Sequence, residues 1–292
     1  MILFVTSLRH PENAGDYGRI EQLLAQTLRS IAGQTDDDYI VIVVGNQQPS
    51  IPLPPKTHFV QVDFAPPVRV NGPHADRGGF IRDKGSKIGI GLIAGRQFAP
   101  SSVMIFDADD FVHRDLAAFV NGHPGAPGWV VADGWVYSRA RNGYRRQKSF
   151  NGTCGTCYVL PYEVYAVPDH LEVTASQDEV VDAFGEVLTN TMGAHRNALS
   201  WHRSRGRILE PLPFRAAVYH VDTGENHSGK ALPGLIRPWS RRLEQDFAIP
   251  SGQPLLATWL SCLSPRAVAQ TTASLAFRAL RRLRRGRAGA AT

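Results

Sequence analysis

The sequence predicts an α/β sandwich, a mostly parallel central sheet flanked by helices. Three observations carry this expectation. Short apolar runs recur along the first third of the chain, at 1–8, 36–46, 57–62 and 102–106. Segments with helical spacing of apolar residues lie between them. Gly- and Pro-rich turns mark the junctions. A chain of 292 residues, 43% hydrophobic and 20% charged, can bury a core of this kind, which excludes the disordered and fibrous classes.

The elements follow in order. "MILFVTSL" (1–8) reads as a buried first strand. From Gly18 to Ile31, Ile20, Leu23, Leu24, Leu28 and Ile31 share one helical face. "DDDYIVIVVGN" is a polar turn and a second strand, "PSIPLPP" (49–55) a proline-rich loop, and "THFVQV" (57–62) a third strand. "DKGSKIGIGLIAGRQF" (83–98) reads as a helix whose glycines let its backbone approach the sheet. A buried strand at 102–106 comes next, and in such sheets ligands bind beyond the carboxyl ends of the strands. "GHPGAPG" (122–128) is a turn-rich loop. "WVVADGWVYSR" and "RRQKSF" suggest strands with a hairpin. Residues 176–190 open a helix with Ser176 as N-cap and Glu179 at capping-box spacing, and 215–222 is a further strand.

The net charge of +6 is unevenly placed. No acidic residue follows Asp246, and seven arginines fall between Arg266 and Arg287; without them, 25 basic residues face 26 acidic ones. The body is therefore close to neutral, and a soft boundary is expected at 246. It divides the catalytic-size unit 1–246 from a basic helical C-terminal extension, 247–292. In that extension Leu275 or Phe277, Leu280 and Leu283 lie near one face among arginines, a pattern suited to an anionic membrane surface. No aromatic stacking pattern accompanies the charge, so nucleic acid is not expected. Three cysteines do not make a disulfide framework, and the "TCGTC" pair (Cys154, Cys157) reads as buried small thiols beside Gly152 and Gly155. The apolar start lacks a basic leader region. The expected location is cytoplasmic, peripheral on the inner face of the membrane if the extension docks there.

"SSVMIFDADDFVHRDL" (101–116) poses the functional question. A buried strand delivers Asp107, Asp109 and Asp110 together, where repulsion and desolvation both oppose their charge. A divalent cation would make the cluster tolerable, and oxygen donors suit Mn²⁺ or Mg²⁺. Mg²⁺ is typically held by one or two carboxylates together with substrate phosphates.

"D-A-D-D" after an apolar strand resembles the D-x-D motif of GT-A-fold glycosyltransferases, family 2 in particular. The stretches 22–46, 83–110, 175–181 and 219–228 resemble further segments of that family in the same order, across roughly residues 1–230. The resemblance implies a GT-A-type sandwich. It also implies metal-dependent transfer of a sugar from a nucleotide-diphosphate donor, a UDP-sugar first among them, to a hydroxyl of a glycan or lipid-linked acceptor, with inversion. Asp109 would bind the metal, with His220 or His227 completing its shell. Asp107 would hold ribose, or the metal through water. Ser7, Arg9, Lys84 and Lys87 would face the nucleotide and its phosphates. Asp178, or Glu179 in its place, would be the base that deprotonates the acceptor.

Some positions depart from the family's pattern. The second strand ends in Gly45, Asn46 and Gln47 where the family often has a base-binding Asp, and Gln177 stands where Glu is usual. Other classes share single features. A haloacid-dehalogenase-type phosphohydrolase also places D-x-D after a strand, but Phe111 stands where it usually has Thr or Val. A nucleotidyltransferase would carry a glycine-rich loop after the first strand, and "TSLRHPENAGD" has no G-x-G. A non-catalytic nucleotide-sugar-binding module of the same fold is the third alternative.

Overall fold

The computed structural model describes residues 1–68, 77–225, 231–265 and 267–273. The first part of the chain forms β1 (Ile2–Ser7), α1 (Tyr17–Ala32), β2 (Tyr39–Gly45), β3 (Thr57–Gln61), α2 (Gly78–Gly95) and β4 (Ser102–Ile105). Asp16 caps α1 by accepting the Arg19 amide at 3.1 Å. The face that α1 buries contains Ile20, Leu23, Leu24, Leu28 and Ile31, as their spacing predicts. Helix α2 begins at Gly78 rather than Asp83, with no side-chain cap to announce the start. Its glycines split their work. A Cβ at Gly91 or Gly95 would strike Val5 or Leu3 of the sheet, whereas one at Gly85 or Gly89 would strike Leu188 or Val180 on the opposite side.

The remainder forms β5 (Phe111–Val112), α3 (Leu116–Asn121), β6 (Trp129–Val130), β7 (Asp133–Ser138), β8 (Gly143–Lys148) and β9 (Tyr158–Pro161). After these come α4 (Gln177–Val187), α5 (Ala198–Ser204), β10 (Glu210–Pro211), β11 (Ala217–Val221), β12 (Arg237–Pro238), α6 (Arg241–Phe247) and α7 (Leu255–Cys262). Residues 267–273 are again helical. The C-terminal segment thus contributes helices joined by short irregular stretches, with Arg241 and Arg242 opening α6.

Seven strands make the first sheet in the order β10-β6-β9-β4-β1-β2-β3. It is mostly parallel: β1 pairs in parallel with β2 and β4, and β2 with β3. Strand β9 runs antiparallel to both β4 and β6. Helices α1 and α2 flank this sheet, and the buried residues of β1, β2 and β4 form the centre of the main core. A second sheet follows the order β12-β8-β7-β11-β5. A smaller cluster joins it to α6, where Leu243 and Phe247 pack with Phe111, Tyr137, Tyr144 and Val218.

Two details go beyond the sequence reading. The stretch 129–139, expected to supply strand, divides between the sheets: β6 lies in the first and β7 in the second. The break comes where Val131 donates to the Cys157 carbonyl at 2.8 Å and Ala132 turns back onto Val130 at 3.0 Å. The only local mark of the change is Asp133 and Gly134, a pair equally suited to a hairpin turn. Strand β9 was not expected, because its four residues follow directly on the "TCGTC" turn. His227 and the arginine-bearing stretch with Leu275, Phe277, Leu280 and Leu283 lie outside the described residues. Among the described residues, no helix is long and apolar enough to cross a membrane.

Candidate functional site

The aspartates sit where the chain leaves one sheet for the other. Strand β4 ends at Ile105, and Phe106 still donates to the Val5 carbonyl at 3.0 Å. The Asp110 amide then closes a turn onto the Asp107 carbonyl at 3.1 Å. Immediately afterwards β5 joins the second sheet by pairing with β11. The turn 107–110 is therefore held from both sheets.

The three carboxylates have three environments. Asp110 is fully buried. Its Oδ1 accepts the His220 amide at 3.1 Å, and its Oδ2 accepts the Cys154 thiol at 2.9 Å and the Thr156 hydroxyl at 2.6 Å. Burial, with the neighbouring Asp109 and Asp107, pushes its carboxyl well above the usual range. Asp110 thus ties β11 and the 154–156 turn to the acidic turn. The Thr156 hydroxyl also accepts the Asp107 amide at 2.9 Å.

Asp107 pairs with Lys84 of α2 at 2.5 Å. Burial opposes its charge, but Lys84, His195 and the Gly155 backbone together hold its carboxyl below the usual range. Lys84 answers in the same sense: burial works against its charge, and Asp107 more than offsets this. The 154–156 turn comes so close that a Cβ on Gly155 would lie 2.6 Å from Asp107 Oδ2, whereas one on Gly152 would meet open space. Asp109 is different again. Burial and the charge of Asp107 push its carboxyl up to about 7, against the opposing pull of its own amide, Arg9 and Lys84.

Asp107, Asp110 and Cys154 offer ligand atoms that lie within 4.8 Å of one another, a group that can hold a divalent ion. Asp109 and His220 are not part of that group. Cys154 and Cys157 are both unpaired and buried. Burial pushes both thiols well above their usual range, so neither is a ready thiolate.

The other expected residues are placed as follows. Ser7 ends β1. Arg9, just beyond, bonds Glu225 Oε2 at 2.7 Å and also reaches the Glu225 carbonyl. The Asp16 amide donates to the same carboxylate at 2.9 Å, so Glu225 ties the loop after β1 to the segment after β11. Lys87 is enclosed, donating to Asp83 at 2.9 Å and to the Leu8 carbonyl at 3.0 Å. It braces the end of β1 and does not reach toward open solvent. The His220 ring is wholly buried between Phe111 and Tyr137. Burial lowers its pKa to about 3, so the ring is neutral. Asp178, at the start of α4, is exposed and ion-paired with Arg82. Glu179 closes the expected capping box, accepting both the amide and the hydroxyl of Ser176, at 2.8 and 2.7 Å. Gln177 seats α4 on α2 through the Ser86 hydroxyl at 3.0 Å.

Sequence reasoning missed four contributors: Thr156, Arg82, His195 and the Oδ1 of Asn46. The Asn46 amide group donates to the Phe64 carbonyl at 2.7 Å, while its Oδ1, just past the end of β2, is buried without a hydrogen-bond partner among the described residues. Only Asn46 left a trace in the sequence, as a polar residue ending an apolar strand.

No family model matches this chain, and no curated protein matches it. Solved structures do. Residues 1–349 of S. aureus TarS in complex with UDP-GlcNAc align with 80% of this chain and 62% of that one, at 14% identity and a TM-score of 0.41. The same S. aureus segment without that ligand aligns at 13% identity and a TM-score of 0.36, covering 75% of this chain. The chain spans 60% of the length of that segment. The galactosyltransferase LgtC, in complex with donor and acceptor sugar analogs, aligns at 12% identity and a TM-score of 0.31, over 75% of this chain and 86% of that one.

Proposed function

We propose that this protein is a glycosyltransferase that moves a sugar from a nucleotide-diphosphate donor to an acceptor hydroxyl with the help of a divalent cation. One observation carries the proposal. Asp107 is held ionised by Lys84, while Asp109 beside it has a carboxyl pushed to about 7. Lys84 pairs with Asp107, and among the described residues Asp109 has no ion pair of its own, only the longer-range pull of Arg9 and Lys84. The donors fit a hard ion: Asp107 and Asp109 offer oxygen, which suits Mn²⁺ or Mg²⁺. The buried partner Asp110 is instead saturated by Cys154, Thr156 and His220.

Asp109 would be the direct ligand, with Asp107 holding the ribose, or the cation through water. The neutral imidazole of His220 and the ring of His227 are the nitrogen donors expected from sequence. When bound, the cation would offset the charge that gathers on the leaving diphosphate.

The chain's own groups supply the rest. Ser7 and Arg9 at the end of β1 face the nucleotide, and Lys87 fixes their backbone through the Leu8 carbonyl. Lys84 shares its charge between Asp107 and a phosphate. The unpaired Asn46 Oδ1 can accept an N–H from the base, a donor that uracil presents. Asp178 takes the proton from the acceptor hydroxyl as that oxygen bonds to the anomeric carbon. In the same step the bond from this carbon to the diphosphate oxygen breaks, its electron pair leaving with the nucleoside diphosphate, and attack from the far side inverts the configuration. Asp178 is preferred to Glu179 because Glu179 is engaged in the helix cap. General-base help of this kind contributes about 10²–10⁴-fold.

A thermal-shift panel tests the reading: UDP, GDP, CMP and dTDP species, each with and without Mn²⁺. The expected result is a metal-dependent rise in melting temperature with one diphosphate nucleotide, lost in Asp109→Asn. No rise with any of them would refute the proposal. A rise without sugar turnover across acceptors would instead identify a binding module.

A further inference from the structure

Helix α7 is packed with its hydrophobic face outward. It buries Thr258 and Cys262 and exposes its large apolar residues: Leu255 is 61% exposed, Leu256 73%, Trp259 53% and Leu260 65%. Leu263, just past its end, is 46% exposed, and Val268 in the next turn of helix 44%. The inversion is fixed by polar contacts beneath. Asn142 in the β7–β8 turn donates to the Thr258 hydroxyl at 2.7 Å. Arg141 donates to the Ser261 and Cys262 carbonyls at 2.9 and 3.3 Å. Water-exposed surfaces seldom gather so many large apolar side chains in one place, and such a patch marks an interaction surface.

Charge identifies the occupant. Beyond Asp246 the sequence has no acidic residue and seven arginines. Two copies meeting through this face would bring two cationic ends together, which opposes self-association. An anionic bilayer satisfies both features, taking the apolar side chains below its headgroups and the arginines at its charged surface. Trp259 has the amphipathic ring that favours this depth. We infer that α7, with Leu263 and Val268, is a wedge that seats this protein on an anionic lipid surface. This inference does not depend on the sugar-transfer reading.

The test is co-sedimentation of the full chain with vesicles of phosphatidylcholine, with and without phosphatidylglycerol, which needs no activity. Expected are binding to the anionic vesicles only, weakened by high salt, and a loss of at least about tenfold in Leu256→Ser/Leu260→Ser, two side chains whose burial is lost. Brominated lipid gives a second reading on the native fold: it should quench tryptophan emission in the wild type and much less in Trp259→Phe. Absence of binding to anionic vesicles overturns the inference. Binding that the double variant leaves intact, with no quenching by brominated lipid, also overturns it, because the arginines alone would then suffice. A concentration-dependent dimer that the double variant abolishes, without vesicle binding, assigns the face to a second copy and overturns it too.

Discussion

Helix α2 carries two lysine–carboxylate pairs in neighbouring turns, and they are opposite in character. Lys87 and Asp83 are sealed, their side chains 0% and 9% exposed. Burial dominates there, lowering the lysine and raising the aspartate. Lys84 and Asp107 remain partly open, at 27% and 32%, and each strengthens the charge of the other. The first pair braces the end of β1. The second stands close enough to Asp109 for both of its charges to act on that carboxyl. One helix thus separates a sealed pair from an open one by depth, with the same residue types.

The largest effect should come from breaking the sealed pair. Lys87→Ala strands Asp83 in the interior and should reduce unfolding free energy by about 3–5 kcal/mol, measured by denaturant titration. Replacing both partners, Lys87→Met with Asp83→Leu, should restore most of it. If the single and double variants are equally unstable, the pair is not what holds this region.

Asp109→Asn should do the reverse at the open site. Turnover should fall by about 10²-fold or more. The metal-free protein should meanwhile become more stable at pH 8, by about 1–2 kcal/mol after discounting for partial exposure. The sign follows from the carboxyl near 7 in the fold against about 4 unfolded. Over that interval the unfolded chain releases the proton first, so rising pH weakens the native state, and above about 7 the loss is complete. Added Mn²⁺ should remove this pH dependence in the wild type. A flat profile in metal-free wild-type protein would contradict the assignment.

A smaller effect separates the two ways of holding a cation. With oxygen ligation at Asp107 and Asp109, Cys154→Ser should leave Mn²⁺ affinity within about twofold, whereas Asp109→Asn should reduce it by about tenfold or more. The opposite ranking, read by calorimetry, would move the ion to the buried Asp107–Asp110–Cys154 group. The smallest effect is expected at Arg82, whose pair with Asp178 is largely exposed. Arg82→Ala should change stability by no more than about 0.5 kcal/mol. A matching shift in the pH dependence of turnover would show that Arg82 tunes Asp178.

Much of the first sheet was legible because its signals are local. Ile20 to Ile31 announced the buried face of α1, and Ser176 with Glu179 announced the cap of α4. The aspartate turn was legible as an anomaly, three like charges ending an apolar strand. The second sheet was much less so. Its short strands β5 and β12 have two residues each, too few to show a period, and the change of sheet within 129–139 is marked only by Asp133 and Gly134, which read equally well as a turn. Lys84 and Lys87 looked equivalent until the fold put one against Asp107 and sealed the other under Leu8.

The order of apolar runs determined that a parallel sheet would form and that Asp107, Asp109 and Asp110 would emerge at its carboxyl edge, because strand and helix periods act over a few neighbouring residues. Tertiary structure alone decided that Asp110 would be clasped by Cys154 and Thr156, that Asp107 would meet Lys84, and that Asp109 would be left with its proton poised. A carboxylate's charge depends on partners brought together from distant segments and on the water they displace, and neither is written in its own stretch of chain.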